Sequence, residues 1–164
     1  MVYITGDKHG DYDQKFEFCY KNNTSKNDIM IILGDAGINY YLDSKDYTLK
    51  NYLKELPITL FCIHGNHEER PYNIAGYKSK IFNNGIVYYE EKYPNILFAK
   101  DGEVYNFNGV STLVIGGAYS VDKYYRLALG YNWYESEQPN EKIKNDVRKT
   151  LKNYNNKMDV ILSH

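Results

Sequence analysis

The sequence predicts an α/β fold built on a parallel sheet, followed by a run of antiparallel strands. Three observations carry that prediction. The first half alternates short apolar runs with apolar residues at helical spacing, and successive βα units imply parallel strands. The steps from Asp7 to Asp35 and from Asp35 to Asn66 each match the roughly 30 residues such a unit takes. The middle then changes to short strand-like runs separated by Asn-, Asp- and Gly-containing turns. A length of 164 residues favours a single domain, 1–164, with room for a hydrophobic core.

Val2 to Thr5 is the first strand, ending in Gly6-Asp7. Phe16, Cys19 and Tyr20 then fall at i, i+3 and i+4, the mark of a short amphipathic helix. Ile29 to Leu33 is the second strand. Leu49, Tyr52, Leu53 and Leu56 predict a helix that starts near Asp43-Ser44, where either side chain can cap, and stops at Pro57. Ile58 to Ile63 is the third strand. Ile86 to Tyr89, Ile96 to Ala99, Val104 to Phe107 and Ser111 to Ile115 read as a meander, forming a second sheet or an edge extension. Asp101-Gly102 and Asn108-Gly109 are its hairpin turns. Gly116-Gly117 closes it, and a Tyr-rich loop runs from Ala118 to Trp133. Ile143, Val147, Leu151 and Tyr154 form one stripe on a helix after Pro139, and a strand from Asp159 to Ser163 delivers His164.

Composition narrows the function classes. Twenty basic residues against 21 acidic ones leave no polybasic footprint for nucleic acid or an anionic membrane. A nuclease needs only a few local cations, so that class is weakened and stays open. No run approaches the roughly 20 apolar residues of a membrane span. Cys19 and Cys62 lack CxxC spacing and read as buried thiols in a reducing cytoplasm.

The chemistry lies at the strand ends. Four apolar runs lead into Asp7-Lys8-His9, Asp35, Gly65-Asn66-His67 and His164. Singly, each has a plain alternative: a cap, a turn or a satisfied histidine. Jointly, carboxylate, imidazole and amide groups at the carboxyl ends of parallel strands, where α/β folds gather ligands, describe a metal site. Mixed O/N donors without thiolates suit Mn²⁺, Fe or Zn²⁺. His64 reads as a packed or hydrogen-bonded residue behind the ligands. Arg70 is a candidate phosphate clamp, with a salt bridge to Glu68 or Glu69 as the alternative, and Arg126 is a weaker candidate of the same kind. The tyrosines of the late loop read as a packed lid or oligomer contact, or as platforms for a nucleobase.

Gly6-Asp7-x-His9-Gly10, Gly34-Asp35, Gly65-Asn66-His67-Glu68 and a later strand-terminal His164 resemble the calcineurin-like metallophosphoesterases in order and spacing. Gly116 to Lys123 followed by Trp133 resembles a bacterial and phage-type branch of them. The resemblance implies a two-sheet β-sandwich flanked by helices. It places Asp7 and His9 on one metal, Asp35 as a bridge, Asn66 and His164 on a second metal, and His67 beside the substrate. It further implies hydrolysis of a phosphate monoester or diester by a hydroxide shared between two divalent cations, in a cytoplasmic enzyme with a phosphorylated substrate. Family members usually end with a Gly-His-x-His element, so the domain is expected to be C-terminally incomplete, its last strands and two ligands missing. Ala36-Gly37-Ile38-Asn39 stands where the protein Ser/Thr phosphatases carry a further Asp and Arg. A degenerate metal- or phosphate-binding module and a nucleic-acid diesterase remain as alternatives.

Overall fold

The computed structural model describes residues 1–164. β1 (Val2–Thr5), β2 (Ile29–Ile32) and β3 (Thr59–Cys62) run parallel, separated by α1 (Lys15–Lys21) and α2 (Ser44–Leu53). Asp43 caps α2, its carboxylate accepting the Lys45 N–H at 2.8 Å. The sheet continues through β6 (Ile96–Ala99), β5 (Gly85–Tyr89) and β4 (Lys78–Phe82), in the order β1-β2-β3-β6-β5-β4. A second sheet holds β7 (Val104–Phe107), β8 (Val110–Ile115) and β9 (Val160–Ser163). α3 (Lys123–Ala128) and α4 (Glu141–Asn153) lie between β8 and β9.

Alternation along β2 and β3 explains the layers, because successive side chains point to opposite faces. Met30, Ile32, Leu60 and Cys62 join Tyr12, Cys19 and Leu53 in a core beneath α1 and α2. Ile31, Phe61 and Ile63 face the other way and meet Tyr105, Val114 and Leu162 of the second sheet. The two sheets therefore pack face to face with helices outside, the architecture expected from the resemblance.

Several expectations change. The predicted meander is divided between the sheets: β6 pairs parallel with β3 and antiparallel with β5, while β7 and β8 form a hairpin elsewhere. Asn108-Gly109 does make that hairpin turn, both residues taking positive φ as a two-residue turn demands. Asp101-Gly102 links the two sheets instead. The matching turn at Asn83-Asn84, also at positive φ, joins β4 to β5, a strand pair the apolar pattern did not announce because Lys78-Ser79-Lys80 is polar. β9 pairs parallel with β8, so His164 arrives from the second sheet rather than from a fourth neighbour in the first. On α1, Tyr20 faces solvent, and Phe18 packs edge-on against Tyr3 at 4.9 Å. No helix is long and apolar enough to cross a membrane.

Candidate metal centre

β1, β2 and β3 end side by side, so their following loops share one rim of the sheet. Backbone bonds tie those loops together. The Lys8 and His9 N–H groups both donate to the Asp35 carbonyl, at 3.1 and 2.7 Å. The His67 N–H donates to Asp35 Oδ1 at 2.9 Å. His9 and Asp35 both hold positive φ, at 46° and 43°, a conformation that costs energy for residues with a Cβ and is typical of functional loops.

The side chains converge. His9, Asp35 and His67 each offer a ligand atom within 4.8 Å of the others. Asp35 is nearly fully buried, and its Oδ2 lies 3.8 Å from His9 Nε2 and 3.7 Å from His164 Nε2. His164 Nδ1 sits 3.0 Å from the Leu33 carbonyl, which favours the tautomer with its proton on Nδ1. Nε2 then presents a lone pair to Asn66 Oδ1 at 2.8 Å. Two acceptors at that distance repel unless a proton or a cation lies between them. Two donors that each approach a cation to about 2.1 Å sit roughly 3.0–3.4 Å apart, between the 2.8 Å and the 3.7 and 3.8 Å separations found here. The residues present therefore fit a divalent cation.

The sequence candidates do not all stand alike. Asp7 lies beside His164, 3.5 Å from Nδ1, but is half exposed and outside the tight group. His67, expected beside the substrate, lies inside that group, its ring 5.3 Å from the His9 ring. Burial holds the His67 imidazole below its usual protonation range. Asn66 is oriented by donating to Ser120 Oγ at 2.8 Å, a partner 54 residues away that no local pattern announces. Arg126 is buried and donates to the same Ser120 Oγ at 3.3 Å and to the Asn132 carbonyl, so it braces the loop around Asn66.

Arg70 is a correction. Its guanidinium is buried, paired with Asp101 in place of Glu68 or Glu69, and donates to the Ser136 and Gly116 carbonyls. Those contacts occupy the donors a phosphate clamp would use. Arg70→Ala should therefore read as a stability mutant, costing about 3–5 kcal/mol by stranding the buried Asp101 carboxylate. Thermal denaturation checks this. Glu68 is also turned inward, accepting the Gly65 N–H at 3.0 Å, and burial pushes its carboxyl up to about 8. His64 is buried too, the packed alternative of its two expected roles, and its ring nitrogens make no hydrogen bond. Of the late-loop tyrosines expected as a packed lid or oligomer contact, Tyr119, Tyr124, Tyr125 and Tyr131 are exposed, while Tyr134 donates to the Tyr40 carbonyl.

A cavity of about 220 Å³ adjoins the cluster, lined by His9, Gly37, Tyr40, Tyr41 and His67.

A search among curated proteins finds no match. A family model described as calcineurin-like phosphoesterase matches residues 1–164. The match takes in every strand that feeds the cluster, and the chain belongs to the calcineurin-like phosphoesterase family.

Proposed function

We propose that the protein is a dinuclear metal-dependent phosphoesterase that hydrolyses a phosphate monoester or diester. The observation that carries this reading is the convergence of His9, Asp35, Asn66, His67 and His164 on one buried-to-open rim. Asp35 would be shared between two cations, with His9 and Asp7 on one side and Asn66 and His164 on the other. Mn²⁺, Fe and Zn²⁺ all suit that donor set. Bound there, divalent cations supply Lewis acidity toward a phosphoryl oxygen and make water a competent nucleophile near neutral pH.

The chain's own residues do the rest. The Leu33 carbonyl fixes the His164 tautomer, and Ser120 fixes the Asn66 amide. His67, kept neutral by burial, offers an imidazole N–H to the leaving oxygen as its charge grows. Tyr40 and Tyr41, edge-on at 4.7 Å, wall the adjoining cavity and restrict which organic groups enter.

The test is hydrolysis of nitrophenyl phosphate and of its bis ester by protein stripped with chelator and then reloaded. Mn²⁺ should raise the rate of one ester by at least about tenfold over the stripped protein. Elemental analysis of the reloaded protein should return two equivalents. A rate indifferent to added metal, or no bound metal, would overturn the proposal.

A further inference from the structure

A second cavity, of about 370 Å³, opens between the end of β3, the buried Arg70–Asp101 pair and the first turn of α4. None of the cluster residues line it, and its volume lies in the range of small-molecule sites. Three features of its wall point to a ligand.

The first is His64. It is 3 % exposed, lines the cavity, and neither ring nitrogen has a hydrogen-bond partner. The Ser136 carbonyl lies near the ring but already accepts from Arg70 Nε at 2.8 Å. A buried polar group left unpaired costs about 1–3 kcal/mol, and a ligand group in the cavity would recover it.

The second is the start of α4. Asn140 caps this 13-residue helix by accepting the Ile143 N–H at 2.9 Å, and both residues line the cavity. The first-turn N–H groups of a helix point outward and favour an anion. Lys142 stands beside them. The ion pairs along α4 use Lys144 and Arg148 and leave Lys142 unpaired. The remaining charges largely cancel, because Arg70 holds Asp101 and Lys100 is bonded to Glu103 at 3.0 Å with Asp146 nearby. Once those pairs are set aside, Lys142 and Asp146, one turn apart on α4, are the remaining charges of the lining, and Lys142 is the one at the helix start.

The third is the apolar part of the lining, Tyr72, Tyr88, Phe98 and Ile143, where the two tyrosine rings meet edge-on at 6.0 Å. Such a surface receives an aromatic ring.

We propose that this cavity binds a small aromatic anion. Its ring would lie against Tyr72, Tyr88 and Phe98. Its acidic group would face Lys142 and the α4 N-terminus, and a polar ring substituent would meet His64. This site is separate from the metal centre and does not depend on the reaction proposed for it.

The experiment is calorimetric titration of the full, metal-stripped chain with 4-hydroxybenzoate, alongside the neutral 4-hydroxybenzamide. Saturable binding of the acid is expected, with the amide at least about tenfold weaker. Lys142→Glu, at an exposed position, should weaken the acid by at least about tenfold. Ile143→Trp, which fills the cavity, should abolish binding, with circular dichroism confirming that this variant folds. The His64 imidazole resonances should shift on titration. In metal-loaded protein, inorganic phosphate should fail to displace the acid. Absence of saturable binding, equal affinity for acid and amide, an unchanged Lys142→Glu titration, or displacement by phosphate would each overturn the proposal.

Discussion

Asp35→Asn is expected to leave a folded protein whose Mn²⁺-dependent ester hydrolysis falls by about three orders of magnitude, the loss of several kcal/mol of transition-state stabilisation. The fold survives because the contact that orders the loop remains possible: an amide oxygen still accepts the His67 N–H that Asp35 Oδ1 now accepts at 2.9 Å. The Asp35 carbonyl still receives Lys8 and His9 as well. What disappears is the negative charge at the centre of the cluster, facing His9 at 3.8 Å and His164 at 3.7 Å. The measurement is the hydrolysis rate together with metal stoichiometry and a thermal melt. A variant that keeps full rate at unchanged metal content would remove Asp35 from the reaction.

Gly65→Ala should damage the protein more broadly. A Cβ at Gly65 would lie 2.0 Å from Asp35 Oδ1 and 2.1 Å from the Asp35 nitrogen. The second contact is backbone, held by the loop bonds, so no side-chain rotation relieves it. Overpacking of this kind costs about 1–3 kcal/mol or more. A loss of about 3 kcal/mol lowers the melting temperature of a chain this size by about 6–12 °C. Displacing Asp35 should also weaken metal binding by about 10–100-fold, as disturbed ligand supports do. Gly6→Ala is the control, since nothing lies within 4 Å of its Cβ and its φ is ordinary. Calorimetry and metal titration of the pair make the comparison. Equal melting temperatures and affinities would contradict the close approach of β3 to the Asp35 loop.

The segment from β1 to His67 is legible in the sequence because its signals are local. Ile29 to Leu33 and Ile58 to Ile63 are apolar runs bounded by turns, and each delivers its polar residue where parallel strands must end. His9, Asp35, Asn66 and His67 follow from that logic. The supports of those residues depend on partners far along the chain. Nothing near Arg70 foretells Asp101, and nothing near Asn66 foretells Ser120, because those pairings arise only when two sheets close. β4 gives no strand signal because its first three residues, Lys78-Ser79-Lys80, are polar at a sheet edge, and its turn, Asn83-Asn84, lacks the glycine that usually flags a hairpin. The partners of the two arginines are hidden for a similar reason. Sequence shows a cation near a site but not whether burial has already committed its donors.

The mutual lacing of the three loops has a thermodynamic corollary. Hydrogen bonds from the Lys8, His9 and His67 N–H groups to Asp35 tie the three segments together. Loading with ions should therefore require little reordering, and stripped protein should keep a native circular dichroism spectrum and refill reversibly. Different transition ions could then be exchanged in one preparation, making catalytic preference among them a question of chemistry rather than of refolding.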